Sequence, residues 1–240
     1  MNYQLFETPQ QVVNSLAETL LSLSKEGRAV HISLSGGSTP KLLFKTLAQA
    51  PYNTEVQWNN LHFWWGDERC VAPEDTESNY GEAHQLLFSN IEIAPENIHR
   101  IRGEDEPDQE AKRFAQEMDS VIGHKNGLPA FDWILLGMGT DGHTASLFPN
   151  QTDFDDANLS VVANHPESGQ KRVSKTARLL QNADRITYLV LGESKAEVLQ
   201  EIQQKEAGEL SYPAAKIQST HGQTEWYLDS QAAKLLSKGE

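Results

Sequence analysis

Short apolar runs alternate with helix-period segments along almost the whole chain, and four of those runs end in glycine or charged residues. "AVHISLS" (29–35) reads as a buried strand and "STPKLLFKTLAQA" (38–50) as the helix after it. "LHFWW" (61–65), "FDWILLG" (131–137), "ADRITYLVLG" (183–192) and "TEWYLD" (224–229) repeat the strand signal. Helical patterns cover 8–27, 79–90, a stretch from about 105, 193–205 and a final "SQAAKLLSK" (230–238). "YQLF" (3–6), "LSVVAN" (159–164) and "KRVSKTA" (171–177) add strand candidates, and "GDERCVAPEDTES" (66–78) reads as a polar loop. In the helix over 8–27, Thr8 can cap, Pro9 fits the first position and Gly27 ends it. Val12, Val13, Leu16, Ala17, Leu20 and Leu23 give that helix one apolar face. Strands alternating with helices predict an α/β fold: a Rossmann-like, mostly parallel sheet with helices on both faces.

The chain has 240 residues, enough for one large domain or two small ones. No stretch resembles an interdomain linker, so a single domain over 1–240 is expected. No window approaches the roughly 18 uninterrupted apolar residues of a membrane span, and "MNYQLFETPQQVV" lacks the basic start and apolar core of a signal peptide. Cys70 is the only cysteine, which rules out an internal disulfide. A cytoplasmic protein is expected. The net charge of −14 argues against broad binding to nucleic acid or anionic membrane. An anionic small molecule would need a locally positive site, so basic residues near glycine-rich strand ends matter most.

Ligands in open α/β sheets bind beyond the carboxyl ends of the strands. The four unusual strand ends are "SGGSTP", "GDER", "GMGTDGH" and "GESKA". Gly36 and Gly37 permit a tight turn and close approach of a ligand. Ser38 or Thr39 can cap the following helix, whose free N–H groups would face an anion. The spacing matches neither G-x-x-x-x-G-K-[ST] nor G-x-G-x-x-G, and a plain strand-to-helix turn is the alternative. Arg69 can grip a phosphate or carboxylate with two donors and Asp67 can hold a sugar hydroxyl; a solvated loop with internal salt bridges is the competing reading. Lys195 stands near the start of a helix, where cations are disfavoured unless an anion is present. Arg172 is a weaker case by itself. Cys70 reads as a small packed side chain, and His31, His62 and His84 as core or surface histidines. His143 is the residue best suited to take a proton at neutral pH, and Gly137, Gly139 and Gly142 would leave its loop free to bend. Asp141 either orients the imidazole or shapes the turn. No H-x-x-x-H, C-x-x-C or G-x-S-x-G pattern appears.

"SLSGGSTP", "WWGDERCVAPEDTESNY", "LLGMGTDGHTASLFP" and "VLGESKAEVL", in this order, resemble the 6-phosphogluconolactonase family, relatives of glucosamine-6-phosphate deaminase. The similarity runs from about 5 to 235. It implies hydrolysis of 6-phospho-D-glucono-1,5-lactone to 6-phosphogluconate, in the oxidative pentose phosphate pathway, with no metal or organic cofactor. It implies that His143 is the general base, that Gly37, Ser38 and Thr39 belong to the phosphate-side loop, and that Arg69 and Lys195 match basic residues of the family. Arg172 matches the arginine of a block usually written R-I-T-x-T; here "KRVSKTARLLQNA" departs from it at Ser174 and Lys175, with Lys171 a possible substitute. Backbone N–H groups of the glycine loop are the expected oxyanion donors.

Two rivals follow. Amino-sugar-phosphate deaminases and isomerases carry a glutamate five residues after the loop histidine; this chain has Phe148, which cannot shuttle a proton. A non-catalytic sugar-phosphate sensor would have no need of His143. The oligomeric state cannot be read from the sequence.

Overall fold

The computed structural model describes residues 1–237. Its strands are β1 (Tyr3–Phe6), β2 (Val30–Leu34), β3 (Leu61–Trp65), β4 (Asp67–Arg69), β5 (Ile98–His99), β6 (His124–Lys125), β7 (Leu128–Pro129), β8 (Trp133–Gly137), β9 (Ser160–Asn164), β10 (Lys171–Lys175), β11 (Arg185–Val190) and β12 (Gln223–Asp229). The helices are α1 (Pro9–Ser24), α2 (Ser38–Leu47), α3 (Tyr52–Glu55), α4 (Asn79–Leu86), α5 (Pro107–Val121), α6 (Ala177–Gln181), α7 (Ala196–Gln204) and α8 (Pro213–Lys216).

Seven strands form one parallel sheet in the order β1-β12-β11-β8-β2-β3-β5. Every residue of β2 is buried, as are Trp133–Leu136 and Ile186–Val190. Successive side chains point to opposite faces, so complete burial means that both faces are covered. The amphipathic reading of α1 holds over most of its length, but the helix ends at Ser24, with Lys25 at the C-cap, before Gly27 is reached. Thr8 Oγ1 accepts from Gln11 N at 3.2 Å, and Pro9 occupies the first position. Val12, Val13, Leu16, Ala17 and Leu20 are buried, each large side chain contributing about 1.5–3 kcal/mol of transfer free energy. Leu23 is only half-buried, and Ser24 takes the core position beyond it.

From β2 the chain moves outward through β3 to β5. It then returns to the other side of β2 as β8 and continues through β11 to β12. The direction of winding reverses between β2 and β8, and the loops after these two strands diverge to leave a crevice.

Three sequence expectations change. The stretch read as a polar loop contains β4, which pairs antiparallel with β10, itself paired with β9, in a separate three-stranded sheet. α2 is not capped by Ser38 or Thr39: Gly37 is the cap residue, at φ +110°, and no side chain caps the helix. The final helix expected over 230–238 is a series of turns through residue 235, and Lys238 lies outside the described residues. There Asp229 spends its carboxylate on Ala232 N (2.8 Å) and Gly192 N (3.0 Å), which fixes a single turn that does not propagate. None of the helices among the described residues is long and apolar enough to cross a membrane.

Candidate active site

At the switch point lies a cavity of about 270 Å³, near the small end of the range for sites that take small molecules. The turn after β2 contributes Ser35, Gly36 and Gly37. β4 contributes Asp67 and Arg69, and the start of α4 contributes Asn79. The loop after β8 contributes Met138, Gly139, His143 and Ala145, β10 contributes Arg172, and the segment after β11 contributes Lys195. Residues far apart in the chain thus meet because four strand ends and one antiparallel pair share one rim.

The pleat explains the alternation in β4. Asp67 and Arg69 face the cavity, and Glu68, between them, points into the protein. Glu68 is 2% exposed and accepts from Arg69 N, Asn79 N and Tyr80 N at 2.8 Å each and from Ser78 Oγ at 3.0 Å. Burial pushes its carboxyl up, against the pull of those four donors. This carboxylate fixes where α4 begins and therefore where Asn79 stands. Asn79 Nδ2 donates to Asp67 O at 3.1 Å, and its side chain packs so closely on Gly36 that a β-carbon there would lie 2.1 Å from Asn79 Oδ1. Asp67 Oδ2 accepts from Ser146 Oγ at 2.6 Å, and Ser146 N donates to Ser174 Oγ at 3.2 Å.

Arg172 and Arg69 are direct cross-strand partners in β10 and β4. Like charges placed opposite each other are destabilising. Among the described residues neither arginine, nor Lys195, forms an ion pair with a carboxylate. Arg69 donates to Glu77 O at 2.7 Å and its Nε has no partner among the described residues. Arg172 donates to Gln170 Oε1 at 3.2 Å and stands 6.0 Å from the centre of the Phe148 ring. Burial lowers the pKa of Arg172 and of Lys195, with Asp67 and Asp141 respectively working against it. Three cations therefore converge on one cavity in a chain of net charge −14.

The loop after β8 carries His143. Gly139 N donates to His143 O at 2.9 Å and Gly142 N to Gly139 O at 3.1 Å. A β-carbon at Gly139 would meet His143 Nδ1 at 2.1 Å, and Gly142 has φ +80° with the Tyr212 ring against it. Asp141 Oδ1 accepts from both His143 N (3.1 Å) and His143 Nδ1 (2.6 Å). Both readings of Asp141 are thus met by one oxygen: it shapes the turn and holds the ring. Burial pushes its carboxyl up, but the backbone N–H and charge of His143 hold it below the usual range. With Nδ1 engaged, Nε2 is the free ring nitrogen. Phe148 is buried 5.0 Å from the imidazole, ring centre to ring centre, so it supports His143 as well as Arg172.

Of the residues singled out in the sequence, Gly36, Gly37, Asp67, Arg69, Arg172, Lys195 and His143 line this cavity, with Asp141 directly behind His143. Ser38 and Thr39 line a neighbouring cavity of about 490 Å³ with Lys41, Lys45, Gly192 and Asp229. The N–H groups of Gly139, Gly142 and His143 are spent within their own loop, so they are not the oxyanion donors expected of it. Ser35, Asn79 and Ser146 were missed. All three lie inside the quoted blocks, but only Ser35, beside Gly36, has a local signal. Burial pushes the Cys70 thiol up, as for a packed side chain. His31 and His62 are also structural: His31 Nδ1 accepts from Trp64 Nε1 at 3.1 Å, and His62 pairs with His99 at 3.0 Å. His84 is exposed.

A switch-point crevice lined by three cations unpaired among the described residues, one carboxylate and an imidazole bonded to Asp141 defines an α/β protein suited to a small anionic ligand and proton transfer. The family model described as "Glucosamine-6-phosphate isomerases/6-phosphogluconolactonase" matches residues 6–226. 6-Phosphogluconolactonases from Haemophilus influenzae and Aggregatibacter actinomycetemcomitans are each 62% identical to the chain over 236 residues, covering 98% of it and all of the relative. The crystal structure of the devB protein superposes with a TM-score of 0.97 at 65% identity, covering 98% of this chain and 99% of that one. The chain belongs to the glucosamine-6-phosphate isomerase/6-phosphogluconolactonase family.

Proposed function

We infer that the chain hydrolyses 6-phospho-D-glucono-1,5-lactone to 6-phosphogluconate, with His143 as general base. The observation that carries this reading is the convergence of Arg69, Arg172 and Lys195, none of them ion-paired among the described residues, on the cavity that holds the Asp141-bound imidazole. A sugar phosphate supplies the anion these cations lack. The 62% identity over nearly the whole length of two 6-phosphogluconolactonases gives the substrate.

Arg172, Lys195 and the Gly36–Gly37 turn hold the phosphate, with the N–H groups of Ser38 and Thr39 at the uncapped start of α2 behind it. Asp67 takes a sugar hydroxyl. The lactone carbonyl then lies by His143. Nε2 removes a proton from water as the water oxygen bonds to C1, and the carbonyl electrons move to its oxygen. Arg69 stabilises that oxyanion, since the N–H groups of Gly139, Gly142 and His143 are occupied. Collapse breaks the bond from C1 to the ring oxygen, which takes the proton back from His143. No cofactor enters these steps. The whole chain works as one domain, because the site draws on segments from residue 35 to residue 195. A single half-buried cysteine suits the reducing cytoplasm.

The test is decay of freshly generated lactone with and without the protein. His143→Ala retains substrate binding and loses the roughly 10²–10⁴-fold typical of general-base help. Full turnover by that variant would overturn the assignment. Ammonia release from glucosamine 6-phosphate would favour the deaminase reading instead, which Phe148 opposes.

A further inference from the structure

Lys175, one of the two residues at which the R-I-T-x-T block departs from pattern, is completely buried. Its strand, β10, sends Arg172 to the cavity and Lys175 to the opposite, core side. There its Nζ lies 4.6 Å from the centre of the Phe131 ring and 5.1 Å from that of Phe114. Among the described residues no carboxylate stands within ion-pair distance of it. Nζ donates to Ser33 Oγ at 3.0 Å and to the Trp65 carbonyl oxygen, and the Lys175 backbone N donates to Gly66 O at 2.8 Å. Ser33 is two residues before Ser35 in β2, and Trp65 two residues before Asp67. At Gly66 the chain leaves the parallel sheet for the small antiparallel one.

An apolar side chain of the same length would fill this space without the cost of burying an amine. What it could not do is join β10 through one nitrogen to the ends of β2 and β3, which are already held to each other as sheet neighbours and by Gly66 N donating to Leu34 O at 2.9 Å. We infer that Lys175 is a positioning residue for the cavity: its side-chain nitrogen ties β10 to the paired ends of β2 and β3, setting where Arg172 stands relative to the Ser35–Gly37 turn and Asp67. It acts through those segments and touches no substrate. The His143 loop hangs from β8 and is not held by this tie.

The inference rests on the lactone-hydrolase reading for its kinetic assay only. Lys175→Met, Ser33→Ala and the double variant are compared with the parent for melting temperature, KM and kcat on the lactone, and affinity for inorganic phosphate by calorimetry. Lys175→Met is expected to melt no lower than the parent, yet to raise KM and weaken phosphate binding by on the order of tenfold, the scale of a sub-ångström to ångström misplacement. The pH dependence of kcat stays put, because His143 and Asp141 are untouched. Ser33→Ala moves KM in the same direction by less, and adds nothing in the double variant. A folded Lys175→Met with unchanged KM and phosphate affinity overturns the inference, as does a lowered melting temperature with KM intact, which is a packing role alone. If Lys175→Met does not fold, Ser33→Ala decides: an unchanged KM refutes the tie. Should the parent fail to hydrolyse the lactone, the functional reading falls, while the phosphate measurements still judge the inference.

Discussion

Asp141→Ala and Asp141→Asn separate the two tasks of one carboxylate oxygen. Oδ1 accepts from His143 Nδ1 at 2.6 Å and from His143 N at 3.1 Å. A hydrogen bond to a charged group contributes about 1.5–3 kcal/mol. The side chains of Asp141 and His143 are 49% and 27% exposed, so solvent screening places this pair at the lower end, about 1.5–2 kcal/mol. At about 1.36 kcal/mol per tenfold in rate, Asp141→Ala is expected to lower kcat roughly 10- to 30-fold. Asn keeps an acceptor oxygen for both the turn and the ring and gives up only the charge. Charge-assisted bonds are about twice as strong as neutral ones, so the expected loss is nearer about 4-fold. The assay generates lactone in place with glucose-6-phosphate dehydrogenase, follows its decay and subtracts the spontaneous rate, with His143→Ala as the floor. KM should change less than kcat, because Arg172 and the Gly36–Gly37 turn are untouched and Asp141 reaches only Lys195 among the phosphate-holding groups. Parental kcat in Asp141→Ala would refute the orienting role. An Asn variant slower than the Ala variant would refute the idea that a neutral acceptor oxygen still positions the ring.

Three further outcomes are expected. Gly139→Ala places a β-carbon 2.1 Å from His143 Nδ1 and should abolish most turnover while leaving the melting temperature nearly unchanged; normal activity would show that the loop can shift without cost. Glu68→Gln keeps one acceptor oxygen but turns an amide N–H₂ toward two of the four donors, and should cost about 2–3 kcal/mol in urea unfolding, together with a raised KM as Asn79 and Arg69 move. An unchanged urea midpoint would contradict the role given to that carboxylate. His31 is held at about 4 by burial first, then by the neighbouring His62 charge. Its unfolded value is near 6.5, so the unfolded chain binds more protons between those limits, and stability falls as pH drops from about 6.5 to 4, by about 3 kcal/mol at most. His31→Gln should flatten that part of the stability curve, leaving a residual slope of the same sign from His62, whose pKa is also lowered by burial; an unaltered profile would refute the assignment.

The strand and helix alternation was legible because buried parallel strands read as apolar runs: β8 is one without interruption, while β2 and β11 carry only isolated polar residues such as Ser33 and Thr187. The cavity was legible for a related reason: residues too polar or too small for a strand interior stand at the strand ends. β4 was not legible. Asp67 and Arg69 face a ligand cavity and Glu68 a buried network, so the strand has no apolar face, and its partner β10 lies about a hundred residues away. Ser38 and Thr39 look like helix caps, yet Gly37, with its positive φ, takes the cap position. Arg172 looked weak because its block departs from the family pattern; its place in the cavity comes from cross-strand register with Arg69, which one sequence does not display. The spent N–H groups of the histidine loop were equally hidden, since loop composition does not say where backbone bonds go.

The order of the central strands also divides labour along their length. His31 and His62 sit near the beginnings of β2 and β3, whereas the reactive groups gather past their ends. Five residues separate His31 from Gly36, about 16 Å of extended chain. Acid tolerance and turnover thus occupy opposite rims of one molecule. Selection in a more acidic habitat could retune the first by exchanging ring side chains, without disturbing the second.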